Sequence, residues 1–189
     1  MHIGLFFGSF NPVHIGHLMI ANYMVESTAM DQVWFVVSPQ NPFKPKKTLL
    51  NEYDRLHLVE LAIAGNDNFK VSNIEFSLPQ PSYTIDTLTH LSEKHDHRFA
   101  LIMGSDNLVS LPKWKNYERL LKDFFIYVYP RPGFTSDLLT DPNVKLVQDV
   151  PYLPLSSTFI REQIRSGKSM RYFLPDQVWK YVHEMNLYR

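Results

Sequence analysis

His14 and His17 stand three residues apart in the run Gly8-Ser9-Phe10-Asn11-Pro12-Val13-His14-Ile15-Gly16-His17. That spacing makes them neighbours on the first turn of a helix. Residues 3–7 read as a buried strand and residues 18–25 as an apolar-periodic helix, so the pair sits in a strand-turn-helix setting. Such a turn offers backbone N–H groups and the positive end of a helix dipole to an anion. Gly16 removes a side chain and lets a ligand approach the backbone. Two potential cations at a helix N-terminus oppose the dipole unless an anion lies between them. A zinc site is the competing use of two histidines. Zinc catalysis ordinarily uses three protein ligands, and no third stands out, so phosphate is the favoured partner. There is no Gly-x-Gly-x-x-Gly, which excludes the dinucleotide fingerprint.

A second candidate is Ser156-Ser157-Thr158-Phe159-Ile160-Arg161-Glu162. Ser156 or Ser157 would cap a helix reaching about Arg165. Neither is followed three residues on by Glu or Gln, so no capping box forms. Arg161 near a helix start is electrostatically unwelcome without a bound anion. Hydroxyls and a guanidinium there suit a polyphosphate. Gly167-Lys168-Ser169 is not a P-loop: the earlier glycine is missing, Glu162 standing in its place, and a helix precedes it instead of a strand. Gly104-Ser105-Asp106 ends another buried strand, where Asp106 could accept from a ribose. Trp114 lies between Lys113 and Lys115, outside any apolar stripe. Lys44, Lys46 and Lys47 read first as a solvated face, with one able to reach a phosphate.

Around these residues the chain is ordinary globular material: 189 residues, 44% apolar, 20% charged. Nineteen basic and nineteen acidic residues cancel, which gives no global reason to expect nucleic acid or an anionic membrane. The absence of cysteine excludes disulfides and thiol chemistry. No secretory signal or membrane-spanning run is legible, and the expectation is a cytoplasmic protein. Further strands are expected at 33–37, 69–72, 99–103, 124–129 and 144–147. Helices are expected after Asn51, with Leu56, Val59 and Ile63 inward and an end at Gly65-Asn66. Others fall at 84–94, with Ile85, Leu88 and Leu91 inward, and in part of 108–121, interrupted at Pro112. The last opens with Pro175 at its first position. Alternating strands and helices predict an α/β fold, a Rossmann-like doubly wound parallel sheet in one domain over 1–189, with a small C-terminal helical part at about 156–189. The loops after Phe7, Val37, Met103 and Tyr129 would then meet at one edge.

The run 8–17 resembles the nucleotidyltransferase signature Gly-x-Phe-x-Pro-x-His-x-Gly-His. Ser156, Thr158 and Arg161 match that superfamily's second signature, Ser-x-Thr-x-x-Arg. With Pro39 to Lys44, Ser82-Tyr83-Thr84, Gly104-Ser105-Asp106, Trp114 and Arg131-Pro132-Gly133, nearly the whole chain is similar to the bacterial nicotinate-nucleotide adenylyltransferases. The residue after Trp114, often aromatic in relatives, is Lys115 here. The resemblance implies transfer of AMP from ATP to nicotinate mononucleotide, giving deamido-NAD and pyrophosphate. It implies catalytic His14, His17 and Arg161. ATP would be held by these three with Gly8, Ser9, Phe10, Gly16, Gly104, Asp106, Ser157 and Thr158. Nicotinate mononucleotide would meet Asn11, Lys44, Tyr83, Thr84 and Trp114. Mg2+ would be carried mainly by the ATP phosphates, with no metal ligands from the protein. Nucleic acid and membrane are not expected partners; a homo-oligomer is compatible. The rivals are a related transferase with another acceptor such as phosphopantetheine, and a non-catalytic nucleotide sensor.

Overall fold

The sheet is wound outward from its first strand in both directions. The computed structural model describes residues 1–39 and 49–189. Six parallel strands, β1 (His2–Gly8), β2 (Gln32–Val37), β3 (Phe69–Ser72), β4 (Arg98–Gly104), β5 (Phe125–Tyr129) and β6 (Val144–Leu146), lie in the order β3-β2-β1-β4-β5-β6. All neighbours pair in parallel, with Phe6 opposite both Phe35 and Ile102. The order reverses between β1 and β4, the position where doubly wound sheets open a crevice at the carboxyl ends of their strands.

Alternation along the strands divides the core in two. Phe6, Phe35 and Ile102 face one side, where α1 (Ile15–Ser27), α2 (Glu52–Ile63), α6 (Ser157–Arg165) and α7 (Asp176–Glu184) supply Met24, Leu58, Ile160 and Val178. Leu5, Leu101 and Ile126 face the other, against α3 (Thr84–Lys94), α4 (Ser105–Ser110) and α5 (Tyr117–Asp123). Burial on both faces explains the near-continuous apolar strands. The C-terminal helical part does not stand apart: its apolar residues continue the α1–α2 core.

Three expectations need correction. Pro175 is the N-cap of α7 and Asp176 its first helical residue, so the proline sits one position earlier than predicted. The inward face of α2 is Arg55, Leu58, Val59 and Ile63, while Leu56 is only half-buried against the same core. The segment after β4 is helical from Ser105 onward, so Gly104-Ser105-Asp106 is a second strand-to-helix start.

Arg55 is the unexpected core residue, fully buried on α2. Its guanidinium donates to the carbonyls of Leu50 (3.1 Å), Ser9 (2.6 Å), Ser38 (2.7 Å) and Pro39 (3.0 Å). Planar geometry with five donors lets one side chain satisfy several loop carbonyls at once. Burial lowers its pKa, and the nearby acid Glu52 and the Tyr188 phenol partly oppose that. We predict that Arg55→Met destabilises the fold by about 3 kcal/mol or more, because buried carbonyls lose their donors together. Arg55→Lys should recover only part. Urea unfolding of both variants checks this, and a loss below about 1 kcal/mol for Met would overturn it.

Candidate active site

The turn after β1 is held in a shape few sequences would choose. Phe10 has φ of +44°, uncommon for any residue but glycine and paid for by packing. Its buried ring lies against Phe6 (5.9 Å), Phe35 (5.5 Å) and His17 (5.1 Å). The turn therefore enters α1 with a fixed direction.

His14 is not on the first helical turn, as the spacing suggested. It is the extended N-cap of α1, with His17 as the third helical residue. The two rings still stack, centroids 3.7 Å apart and planes at 23°. The His14 backbone N–H donates to His17 Nδ1 at 3.2 Å. A neutral His17 then carries its proton on Nε2. The His17 N–H donates to the His14 carbonyl at 2.9 Å, and the buried His14 Nδ1 has no hydrogen-bond partner among the described residues. Gly16 serves this stack: a Cβ there would stand 3.1 Å from His14 Nδ1. Burial, reinforced by the charge of Arg131, pushes the His14 pKa down to about 4. The expected clash of two cations with the helix dipole is thereby removed, since His14 is neutral near pH 7.

The start of α6 closes on the same turn. Ser156 caps the helix, its Oγ accepting from the Phe159 N–H at 3.2 Å. Ser157 Oγ donates to the Pro12 carbonyl (2.8 Å) and Arg161 Nη1 to the Asn11 carbonyl (2.8 Å). Arg161 Nη2 lies 3.3 Å from Thr158 Oγ1, and its Nε is buried without a hydrogen-bond partner among the described residues. From the first turn of α4, Asp106 Oδ1 meets Arg131 Nε at 3.2 Å, an ion pair without a hydrogen bond. A Cβ at Gly104 would collide with both of these side chains.

These groups line a cleft of about 810 Å³ over the carboxyl ends of β1 and β4. A smaller pocket of about 160 Å³ is lined by Tyr83, Thr84, Trp114 and Glu75. Both pockets share Phe7, Gly8, Ser9 and Asn107. Buried nitrogens with no partner among the described residues, beside a helix N-terminus, suit an anionic ligand.

The family model for cytidylyltransferase-like proteins matches residues 5–163. A Flavobacterium psychrophilum protein named "Probable nicotinate-nucleotide adenylyltransferase" is 51% identical over the whole of both chains. A Cytophaga hutchinsonii protein of the same name is 50% identical over all of this chain and 98% of its own. The chain belongs to the nicotinate-nucleotide adenylyltransferase family of cytidylyltransferase-like proteins. Its fold is shared with a solved Plasmodium falciparum nicotinic acid mononucleotide adenylyltransferase complexed with NaAD, at TM-score 0.80 and 20% identity over 99% of this chain and 97% of that one.

Most of the residues singled out in the sequence fall in the two pockets. Gly8, Ser9, Phe10, His14, Gly16, His17, Asp106, Ser157, Thr158 and Arg161 line the cleft, and Gly104 lies beneath the Asp106–Arg131 pair. Tyr83, Thr84 and Trp114 line the smaller pocket. Asn11 borders the cleft, its Oδ1 accepting from the Leu50 N–H (3.3 Å) and the Tyr188 hydroxyl (3.0 Å). Lys44 lies outside the described residues. Lys115 reaches Asp86 at 2.8 Å and covers the Tyr83 ring at 4.7 Å, taking the place of an aromatic wall. Arg55, Glu75 and Tyr188 were not expected here. Arg131 was singled out only within Arg131-Pro132-Gly133, in the loop after Tyr129, and was given no role at the site.

The His14 shift has a consequence for stability. Between about pH 4 and 6.5 the unfolded chain binds a proton at His14 that the folded chain refuses. The contribution is therefore fully present above 6.5 and is lost as pH falls toward 4. We predict that His14→Asn flattens the dependence of unfolding free energy on pH across that window by about one proton. Denaturant unfolding at several pH values reads the slope. An unchanged slope would mean that His14 titrates normally.

Proposed function

We propose that the joined pockets transfer AMP from ATP to the phosphate of nicotinate mononucleotide, releasing pyrophosphate and deamido-NAD. The observation that carries this reading is the shared border at Gly8 and Ser9: a cleft of nucleotide size meets a ring-sized pocket at a phosphate-binding turn. The naming of full-length relatives as nicotinate-nucleotide adenylyltransferases supports it. An acceptor phosphate oxygen attacks the α-phosphorus of ATP. The new P–O bond forms as the bond to the β-phosphate oxygen breaks, so no protein nucleophile is required.

The chain's own work is then positioning and charge stabilisation. His17, with Nδ1 occupied by the His14 N–H, presents an Nε2 proton to the α-phosphate. Phosphate charge near the buried Nδ1 of His14 would favour its protonated form, with the proton taken from solvent, so that Nδ1 becomes a donor to the phosphate. Arg161, Ser157 and Thr158 at the start of α6 hold the β- and γ-phosphates. Asp106 accepts from the adenosine ribose. Tyr83 and Thr84 at the start of α3 donate to the nicotinate carboxylate, and Trp114 stacks on its ring. Mg2+ would neutralise charge on the ATP oxygens. Among the described residues no three His, Cys, Asp or Glu side chains converge on a metal site, a donor set compatible with an ion that arrives with ATP. No helix of the described residues is long and apolar enough to cross a membrane, and we take the reaction to be cytoplasmic.

Pyrophosphate release with ATP and a panel of acceptors tests the assignment. Nicotinate mononucleotide should be the best substrate, and phosphopantetheine inert. Turnover with phosphopantetheine and none with nicotinate mononucleotide would replace this reading by the related transferase. In the same assay His17→Ala should lower kcat by roughly 10²–10³ with little change in ATP affinity, as loss of a transition-state donor does. Near-normal turnover would remove His17 from the mechanism. Arg161→Lys should weaken ATP more than AMP, because a lysine keeps the charge but not the planar fork that also holds the Asn11 carbonyl. Calorimetric titration with each nucleotide compares them, and equal weakening would make Arg161 a purely structural residue.

A further inference from the structure

Glu75 is a buried carboxyl group that the transfer chemistry does not use. It sits in the short 3-10 turn Ile74–Phe76 after β3 and is 3% exposed. Thr87 Oγ1 on α3 donates to its Oε1 at 2.9 Å. The side chains of Ser38, just past β2, and Ser82, just before α3, lie close enough to its carboxyl to favour the charged form. The Gln80 side-chain amide donates to the Glu75 backbone carbonyl at 2.8 Å, so the loop between β3 and α3 hangs from this residue through its main chain as well. Burial raises the Glu75 pKa and the three hydroxyls oppose that rise.

Burying a carboxyl group is costly unless hydrogen bonds replace its water. Here Thr87 on α3 supplies one at 2.9 Å, the Ser38 and Ser82 side chains lie close by, and a carboxyl group has two oxygens on which to accept donors. Ser38, Ser82 and Glu75 line the smaller pocket together with Tyr83 and Thr84. The pocket's Lys115 is already paired with Asp86, which leaves the hydroxyls as the partners shown for Glu75. The groups drawn together by Glu75 are thus the ones that bring the start of α3, with its first-turn backbone N–H groups, up against Trp114.

We propose that Glu75 is the positioning residue of the acceptor pocket: by gathering the hydroxyls of Ser38, Ser82 and Thr87 it holds the Ser82-Tyr83-Thr84 segment at the separation from Trp114 that the acceptor ring requires. The proposal rests on the adenylyl-transfer reading, with the nicotinate ring in the smaller pocket. Glu75 acts through its neighbours and not on the reacting atoms. Its loss therefore affects acceptor binding and leaves the ATP cleft alone.

Steady-state kinetics of the wild type, Glu75→Gln and Thr87→Val with ATP and nicotinate mononucleotide test this. Gln has nearly the same shape but turns one acceptor oxygen into an NH2 donor, so the hydroxyls around it must reorient from donating to accepting. The KM for nicotinate mononucleotide should rise about tenfold or more in Glu75→Gln, as expected from losing one or two hydrogen bonds to a charged group. The KM for ATP should stay within about twofold and kcat at saturation within about threefold. Thr87→Val, which removes a single donor, should shift the acceptor KM in the same direction by less. An unchanged acceptor KM in an active Glu75→Gln enzyme overturns the proposal, as does a parallel loss in both KM values and kcat. If Glu75→Gln does not fold, Thr87→Val decides by the same criterion. A wild type that fails to turn over nicotinate mononucleotide overturns the functional reading and this proposal with it.

Discussion

Everything at the cleft depends on how the backbone from Ser9 to Pro12 is held. Its groups are bonded by side chains from distant parts of the chain. Arg55 on α2 takes the Ser9 carbonyl, Arg161 on α6 takes the Asn11 carbonyl, and Ser157 takes that of Pro12. Tyr188, near the C-terminus, donates to the Asn11 side chain. A turn over the switch point of a sheet has few backbone partners of its own, and buried carbonyls left unpaired are expensive. Long-range side-chain donors solve that problem. They also join residues 150 positions apart into one site, which is why the first and last signatures of the sequence belong together in space.

The same arrangement governs charge. A helix N-terminus, a stacked histidine pair and two arginines would repel one another if all were fully charged and unpartnered. Burial keeps His14 neutral, Asp106 pairs with Arg131, and the Arg161 guanidinium leans on a carbonyl and a hydroxyl. Among the described residues, His14 Nδ1 and Arg161 Nε still have no hydrogen-bond partner, which suits an anion. A bound polyphosphate would find the Arg161 guanidinium already oriented by the Asn11 carbonyl, which limits the reorganisation that binding requires.

The parts legible in the sequence were those written in local order. Period-two and period-3.6 apolar patterns located the strands and most helices, and alternation of the two implied the parallel sheet. The capping serine of α6 and the capping asparagine of α2 were visible because a cap acts within three residues of itself. What escaped was non-local. Arg55 occupies an inward position where the pattern asks for an aliphatic residue, because its partners are carbonyls from other loops. Nothing in the sequence marked Glu75, since its hydrogen-bond partner Thr87 lies twelve residues on, in the next helix. The depressed pKa of His14 needed the fold, because neither its burial nor the approach of Arg131 is a property of neighbouring residues.

That division follows from the kind of reaction the site performs. An acceptor phosphate that is itself the nucleophile asks little bond-making of the protein, so rate must come from holding two substrates in line. In-line placement is sensitive to small displacements of the phosphate turn. The turn's anchors therefore matter as much as the groups that would touch phosphate, and they are drawn from elements on both sides of the switch point. Glu75 and Arg55 illustrate the same solution from opposite sides of the border at Gly8 and Ser9. Each is a buried ionisable side chain whose several hydrogen bonds hold loops: Arg55 supplies donors to carbonyls, and Glu75 accepts from hydroxyls. Ser38 lies between the two, its backbone carbonyl bonded by Arg55 and its side chain near the Glu75 carboxyl. The two anchors thus come together near the end of β2 while each holds its own set of loops, Arg55 those of the turn after β1 and Glu75 the approach to α3.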